Sequence, residues 1–211
     1  MKAKTLERQV FKTSIDNALD ACEVGDTPPR ITVEVGDDYF SVEDNGPGIP
    51  DEIITGSLDY LKRVSDKTYY VSPTRGQMGN ALKTVWAAPY VRNGDTGKVE
   101  IWAQGRHHTI TVSLDRIAQR PAIDHEVEDT DCKTGTIVKV WWENSSGSQD
   151  EETRDFYKIP SVSELVSGFA LFNPHATFTF EDTVYKATDT AWQKWRANIP
   201  RRADRRATPS P

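Results

Sequence analysis

Four short segments of this 211-residue chain combine polar side chains with glycines in patterns that suit a flat, charged ligand. In the first segment, Thr13, Asn17 and Asp20 share one face of a predicted helix. Asn is unfavourable inside a helix because its amide competes with the backbone for hydrogen bonds. Asn17 is therefore a candidate ligand-binding residue, with an ordinary surface position as the alternative.

The second segment, VEDNGPGIP at residues 42–50, has Asp44 at the end of a predicted strand. Gly46 and Gly48 follow it, and they allow both a sharp turn and the close approach of a flat ligand to the backbone. A carboxylate held at this point can accept a hydrogen bond from an exocyclic amine. The same pattern also occurs in ordinary turns, so this segment alone does not identify a ligand.

The third segment, RGQMGNALK at residues 75–83, carries Gly76 and Gly79 directly before a helix predicted from about Asn80. Backbone N–H groups and the positive end of that helix would converge there, which suits a phosphate group. The spacing differs from the P-loop pattern GxxxxGKS/T.

The fourth segment, KTGTIVKVWW, begins with a turn at Thr134 and Gly135 and enters a predicted strand.

The elements that must position these segments are predicted from apolar periodicity. Strands and helices alternate without strict βαβ order, which predicts a mixed or antiparallel sheet with helices packed on one face. A long loop or lid is predicted at 65–78, because that stretch has no clear period. The predicted helices are 5–24, from 51, from 80 and 161–172, and the predicted strands are 31–35, 40–42, 98–104, 107–114, 135–143 and 176–182.

The four histidines form no recognisable metal or catalytic arrangement in the sequence. His107 and His108 are adjacent on a predicted strand, so they must point to opposite faces of the sheet. His125 lies in the acidic run DHEVEDTD, for which a solvated loop is predicted. His175 is predicted to have a structural role.

The formal charge of −6 disfavours a protein whose main task is to coat nucleic acid, since phosphate binding needs a basic surface. The exception is the stretch 196–206, which carries five Arg. It is predicted to be a disordered basic tail, either solvated or in contact with nucleic acid or a partner. No stretch has the length of a membrane span or the apolar core of a secretory signal, which predicts a cytoplasmic protein without a membrane partner.

Taken in order, the four segments resemble the ATP-binding boxes of the GHKL, or Bergerat-fold, ATPase superfamily, which includes gyrase, heat-shock chaperones and histidine kinases. Within it, IDNALDACE, VEDNGPGIP, RGQMGN and NPHATFTF look most like segments of the B subunit of DNA topoisomerase VI and its bacterial relatives. The resemblance covers about residues 10–182. It implies an α+β fold, a two-layer sandwich with a mixed, mostly antiparallel sheet and helices on one face. It also implies an ATP-binding domain at 1–185, followed by a Trp-containing extension and the basic tail at 186–211.

The resemblance further implies a site for ATP and Mg²⁺. Asn17 would coordinate the Mg²⁺ that bridges the phosphates, Asp44 would accept a hydrogen bond from the adenine amine, and Thr136 would join Asp44 through water. Lys83 would reach a phosphate, with an exposed helical lysine as the alternative. The other implied nucleotide contacts are Gly46, Gly48, Ile49, Gly76, Gln77, Met78, Gly79 and Asn80.

Three features depart from the family pattern, one of which is Ala81 at a position where the topoisomerase loop usually has a glycine. Thr13 occupies the position, one helical turn before Asn17, where the family has the Glu that activates the attacking water. A hydroxyl cannot accept a proton as a carboxylate does, so no catalytic residue is assigned and hydrolysis is expected to be weak or absent. In addition, the chain ends about thirty residues after NPHATFTF, so the transducer domain of the topoisomerase group and its phosphate-contacting lysine are not expected.

The leading functional hypothesis is an ATP-binding module that acts as a nucleotide-gated switch. Its bound state would be recognised by a partner or by a second copy of the chain, and contact with DNA would be indirect or through the basic tail. One alternative is an active ATPase subunit of a topoisomerase VI-like DNA-processing complex. Another is a degenerate interaction domain that no longer binds nucleotide, which the retained Asp44 and glycines argue against.

Overall fold

The computed structural model describes residues 2–59, 81–142 and 162–191, which form an eight-stranded sheet and four helices. The helices are α1 (Lys2–Val24), α2 (Asp51–Leu58), α3 (Ala81–Asn93) and α4 (Val162–Phe172). The strands are β1 (Arg30–Val35), β2 (Tyr39–Asp44), β3 (Thr96–Ala103), β4 (Arg106–Asp115), β5 (Arg120–Asp129), β6 (Thr136–Trp141), β7 (Thr177–Phe180) and β8 (Thr183–Tyr185). Their order in the sheet is β5-β4-β3-β6-β2-β1-β7-β8.

The sheet is mixed and mostly antiparallel. Among the described strands, β1 and β7 form the one parallel pair, and every other neighbouring pair is antiparallel. The helices α1, α3 and α4 pack against the face to which the buried side chains of the sheet point. The predicted α+β class, sheet type and position of the helices are therefore confirmed.

The core lies between this face of the sheet and the helices. Phe11, Ile15 and Cys22 of α1 form the apolar stripe that their spacing predicts, and all three are fully buried. Phe11 packs edge-on against Phe40 of β2, with ring centroids 5.6 Å apart. This packing fixes the rotation of α1 about its axis, and hence the direction of the polar face outside the stripe.

The prediction of a solvated loop around His125 is wrong, because this residue lies on β5. β5 is an edge strand, and the polar His125 stands between Ile123 and Val127 on one face, which weakens the apolar alternation by which strands are identified. Its ten residues are held by a long antiparallel ladder to β4. The short edge strand β8 was not predicted either. His107 and His108 do point to opposite faces of the sheet, as predicted.

Three predicted features lie outside the described residues: the loop or lid at 65–78, the phosphate segment at 76–80 and the basic tail at 196–206. They stay predictions. Within the described residues, no helix combines the length and the apolar character that crossing a membrane requires.

Candidate functional site

Asp44 is the last residue of β2, and the sheet register sets it directly opposite Thr136 of β6. Its side chain is buried, and the Gly46 amide donates a hydrogen bond of 2.8 Å to its Oδ1. Burial raises the pKa of this carboxyl to about 6, while the Gly46 amide and the hydroxyl and amide of Thr136 oppose the rise. The sheet therefore holds a desolvated carboxylate that titrates close to neutral pH.

The Thr136 side chain lies beside this carboxylate and is only 1% exposed. Its hydroxyl is near enough to oppose the rise in the Asp44 pKa, yet it has no well-formed hydrogen bond to any atom of the described residues. A buried hydroxyl left in that condition costs about 1–3 kcal/mol. A polar ligand or a water bonded to both side chains would recover that cost, so this pair fits the donor and acceptor pattern of an amine-bearing base.

The two glycines after Asp44 lie in close packing behind the turn. A Cβ on Gly46 would lie 3.2 Å from backbone atoms of Ala21 and Cys22 in α1. Gly48 has a φ of +84°, and a Cβ there would lie 2.8 Å from Cγ of Gln104. These contacts press the turn against α1 on one side and against the β3–β4 connection on the other.

Gly135, which comes directly before β6, was not among the predicted ligand residues but shapes the same turn. Its φ is +78°, and a Cβ on it would overlap the Asp44 carbonyl oxygen. Its amide donates a 2.9 Å hydrogen bond to the carbonyl oxygen of Gly46. The conspicuous Thr-Gly-Thr turn in the sequence was the available signal for this role.

Gly135→Ala should lower the free energy of unfolding by about 3 kcal/mol, because the added methyl group must displace the Asp44 backbone as well as strain its own. Gly94→Ala is the matched control, since Gly94 has a φ of +83° with no atom within 4 Å of a Cβ. It should cost about 1 kcal/mol from backbone strain alone. Urea denaturation of both variants measures the difference, and equal losses would show that the close approach of Gly135 to Asp44 is unimportant.

Asn17 lies on the half-buried polar side of α1, in a row with Thr13 and Ala21 at intervals of one turn. Ala21 is the residue whose backbone meets Gly46. Asn17 is therefore one helical turn away from the contact between α1 and the glycine turn, and Thr13 is two turns away. The geometry brings Asp44, Gly46, Gly48 and Thr136 together, and Asn17 lies one helical turn along α1 from Ala21.

Asn45, which the sequence reasoning did not single out, ties this region together. Its Oδ1 accepts hydrogen bonds from the Arg30 amide at 2.8 Å and the Cys22 thiol at 3.4 Å, and its Nδ2 donates to the Pro28 carbonyl. Burial raises the pKa of the Cys22 thiol to about 12, so this cysteine is unreactive. Asn45, which directly follows Asp44, thus connects the end of α1 with the start of β1.

Lys83 is buried, so the alternative of an exposed helical lysine is wrong. Its Nζ donates a 2.6 Å hydrogen bond to the carbonyl oxygen of Asp59, directly after α2. On α1, Glu7 is also buried and forms an ion pair of 2.9 Å with Arg92 of α3. Glu7 is therefore engaged in an ion pair with α3.

The described residues contain no group of three or more His, Cys, Asp or Glu side chains that could hold a metal ion. Mg²⁺ does not need such a group, because it is usually held by one or two protein oxygens together with substrate phosphates and waters. The amide oxygen of Asn17 is a ligand of the required kind. The donor set is thus compatible with Mg²⁺ that arrives with a phosphate ligand.

Residues 2–142 match the sequence profile of the family described as histidine kinase-, DNA gyrase B-, and HSP90-like ATPase. The chain is 32% identical over 192 residues to the B subunit of type 2 DNA topoisomerase 6 of Natronomonas pharaonis, covering 85% of this chain and 22% of that protein. It is 31% identical over 181 residues to the protein of the same name from Archaeoglobus fulgidus, covering 81% and 28%. The chain thus spans about a quarter of the length of these relatives.

Among solved structures, the ATPase region of Saccharomyces cerevisiae topoisomerase II matches with a TM-score of 0.53, over 84% of this chain and 48% of that one. The sequence identity is 13%, so this likeness concerns the fold alone. The profile match covers more than half of the chain and includes α1, β2 and β6, from which the site is built. The chain therefore belongs to the family of histidine kinase-, DNA gyrase B- and HSP90-like ATPases.

Proposed function

We propose that this chain binds Mg²⁺-ATP between α1 and the Asp44 turn and acts as a nucleotide-gated switch with weak or no hydrolysis. The observation that carries the proposal is the buried Asp44 carboxylate beside the buried Thr136 hydroxyl. Glu43 also raises the pKa of Asp44, so the ionised Asp44 carboxylate lowers the stability of the protein without nucleotide. Such perturbed groups are concentrated at functional sites.

The base would be recognised through its exocyclic amine. An Asp44 oxygen accepts a hydrogen bond from the adenine 6-amino group, and Thr136 reaches the base through water. The turn formed by Gly46, Gly48 and Ile49 allows the flat ring to approach the backbone. Guanine has a carbonyl oxygen in place of that amine, which would repel the carboxylate, so the site should prefer ATP to GTP.

The phosphates would lie on the side of Asn17. Asn17 supplies an amide oxygen to Mg²⁺, which neutralises phosphate charge when bound, and the segment from Gly76 to Asn80 supplies backbone amides. Lys83 contributes its ammonium group after exchanging the Asp59 carbonyl for a phosphate oxygen. The domain that performs this binding is 1–185, with 186–211 as an extension.

Thr13 makes the site a switch rather than an efficient ATPase. A general base contributes about 10²- to 10⁴-fold to rate, and a threonine hydroxyl does not serve as one near neutral pH. ATP would therefore stay bound long enough for a partner, or a second copy of the chain, to recognise the bound state. Contact with DNA would be indirect or through the basic tail.

A second candidate is an active ATPase component of a topoisomerase VI-like DNA-processing complex. The similarity to the B subunits of type 2 DNA topoisomerase 6 favours it, although the chain spans about a quarter of their length. Steady-state phosphate release from ATP separates the two candidates. Release well above background that disappears in Asn17→Ala supports the second candidate, and background release with intact binding supports the switch.

Calorimetric titration with a non-hydrolysable ATP analogue tests the proposal directly. We expect one site per chain, with affinity that increases about tenfold or more when Mg²⁺ is added, because the ion screens the phosphates. Asn17→Ala should remove the Mg²⁺ dependence, whereas Lys12→Ala, at an exposed position on α1, should leave it unchanged. Absence of binding by the unmodified protein would refute the proposal.

A further inference from the structure

The segment from Gly46 to Asp51 is held from outside by the β3–β4 hairpin. Gln104, at the tip of this hairpin, donates from Nε2 to the carbonyl oxygens of Pro47 at 3.2 Å and Gly48 at 3.3 Å. Gln104 has a φ of +50°, a left-handed conformation in which a residue other than glycine is strained. The side chain that holds the turn is therefore carried by a residue with a strained backbone.

The same hairpin holds the far end of the segment through His108 of β4. His108 is 1% exposed, and its Nε2 lies 3.1 Å from Oδ1 of Asp51, the first residue of α2. Its Nδ1 lies 3.0 Å from Nε2 of His125 on β5. A hydrogen-bond chain therefore runs from the edge strand through a buried imidazole to the residue that closes the turn.

The positions of the protons in this chain follow from chemistry. The Asp51 carboxylate can only accept, so His108 Nε2 donates to it. A neutral His108 then accepts at Nδ1, and His125 Nε2 donates to that atom. Burial is the largest cause that lowers the pKa of both imidazoles, which agrees with a neutral pair. Acidification that adds a proton to each imidazole would make both His108 and His125 cations. Two cations 3.0 Å apart repel each other, and this hydrogen bond would break.

Among the described residues, Arg106 and Asp124 are the charged groups besides Asp51 that act on this pair. Arg106 of β4 approaches Asp51 at 3.9 Å, and Asp124 of β5 acts on His125. The charged residues of α3, which also packs on β4, are engaged elsewhere. They are Lys83, which binds the Asp59 carbonyl, and Arg92, which binds Glu7.

We propose that Gln104 and His108 are positioning residues for base recognition. They brace the turn in the conformation that presents Asp44, and the brace weakens when the His108–His125 pair is fully protonated. This inference rests on the proposed nucleotide function. It adds a source of specificity and proton sensitivity on the β3–β4 hairpin, outside the residues that would touch the nucleotide.

Gln104→Glu tests the first contact, because glutamate has the same shape as glutamine but only acceptor atoms. At pH 8 we expect the affinity for the ATP analogue to fall about tenfold, and amide hydrogen exchange at 46–51 to increase. His107→Ala is the matched control. His107 is the neighbour of His108 on the opposite face, stacked on Trp102 at 4.4 Å, and its loss should change neither quantity.

His108→Gln and His108→Ala test the second contact. Gln retains a donor near the position of Nε2, so it should rescue affinity at pH 8, while Ala should lose affinity by about the same factor as Gln104→Glu. As the pH is lowered from 8, the unmodified protein should lose more affinity than His108→Gln, because both proteins titrate Asp44 but only the unmodified one titrates the pair. A merely structural role for His108 would not alter this pH profile.

Superimposable pH profiles, or variants whose affinity and amide exchange equal those of His107→Ala, would overturn the inference. Failure of the proposed function looks different, because the unmodified protein would then not bind the analogue at pH 8. Hydrogen exchange at 46–51 needs no nucleotide. It therefore decides whether Gln104 and His108 brace the turn even in that case.

Discussion

Asp44→Asn should abolish ATP binding and, at the same time, stabilise the nucleotide-free protein at pH 8 by up to about 3 kcal/mol. Burial raises the pKa of this carboxyl from 3.8 to about 6. Between these two values the folded protein binds more protons than the unfolded chain, so stability falls as the pH rises, and the full cost is present above pH 6. Asn keeps an oxygen for the Gly46 amide without the buried charge, but its amide cannot act as a carboxylate towards the adenine amine.

Urea denaturation of both proteins at pH 5 and pH 8, together with titration of the ATP analogue, measures these effects. His108 and His125 act in the opposite direction, since their pKa is lowered and their contribution to stability is lost as the pH falls below about 6.5. The difference between the two proteins therefore isolates Asp44. Asp38→Asn, at the exposed turn before β2, is the control. Retained binding, or a stability difference that does not grow with pH, would contradict the assignment of Asp44.

Thr13→Glu is expected to raise the rate of ATP hydrolysis by about 10²-fold or more, because it introduces a general base at a position that lacks one. Thr13 lies one turn before Asn17 on the same side of α1. It is half-buried, so a carboxylate there would stay partly hydrated while facing the bound phosphates. Phosphate release at saturating Mg²⁺-ATP is the measurement, supported by single-turnover kinetics that separate chemistry from product release.

Thr13→Gln is the matched control for this gain, since it has the length of glutamate without its basicity. The double variant Thr13→Glu with Asn17→Ala should return to background, because the phosphates are then no longer held through the ion. An equal gain in Thr13→Gln would exclude general-base catalysis as its cause. No gain in a Thr13→Glu protein that still binds ATP would show that position 13 does not face the terminal phosphate.

Most of the helices and strands could be predicted from local sequence patterns. α1 and the β1–β2 hairpin follow from spacing that is complete within a short stretch, and the structure confirms both. β5 shows why other parts could not be predicted. Its exposed face carries Asp124, Glu126 and Glu128, and its long pairing with β4 is what identifies it as a strand. Such pairing joins backbones, so it is not visible in the side-chain pattern of either strand alone.

The candidate site divides in the same way. Asp44, its glycines and Asn17 could be identified from residue types and their order. The contact of Gln104 and the hydrogen bonds that join His125, His108 and Asp51 could not be identified from the sequence. Each of these contacts joins residues that are distant in sequence. Gln104 reaches Gly48 across 56 positions, and only the register of the hairpin brings the two together.

The sequence by itself determined the family and the residue types available to bind an adenine base and a metal ion. It also determined the absence of a glutamate at position 13. Tertiary structure alone decided that Asp44 titrates near pH 6, that Lys83 is buried and that Gly135 supports the Asp44 backbone. The reason is physical. Desolvation and cross-strand hydrogen bonds depend on what surrounds a side chain after folding, and those neighbours come from distant parts of the chain.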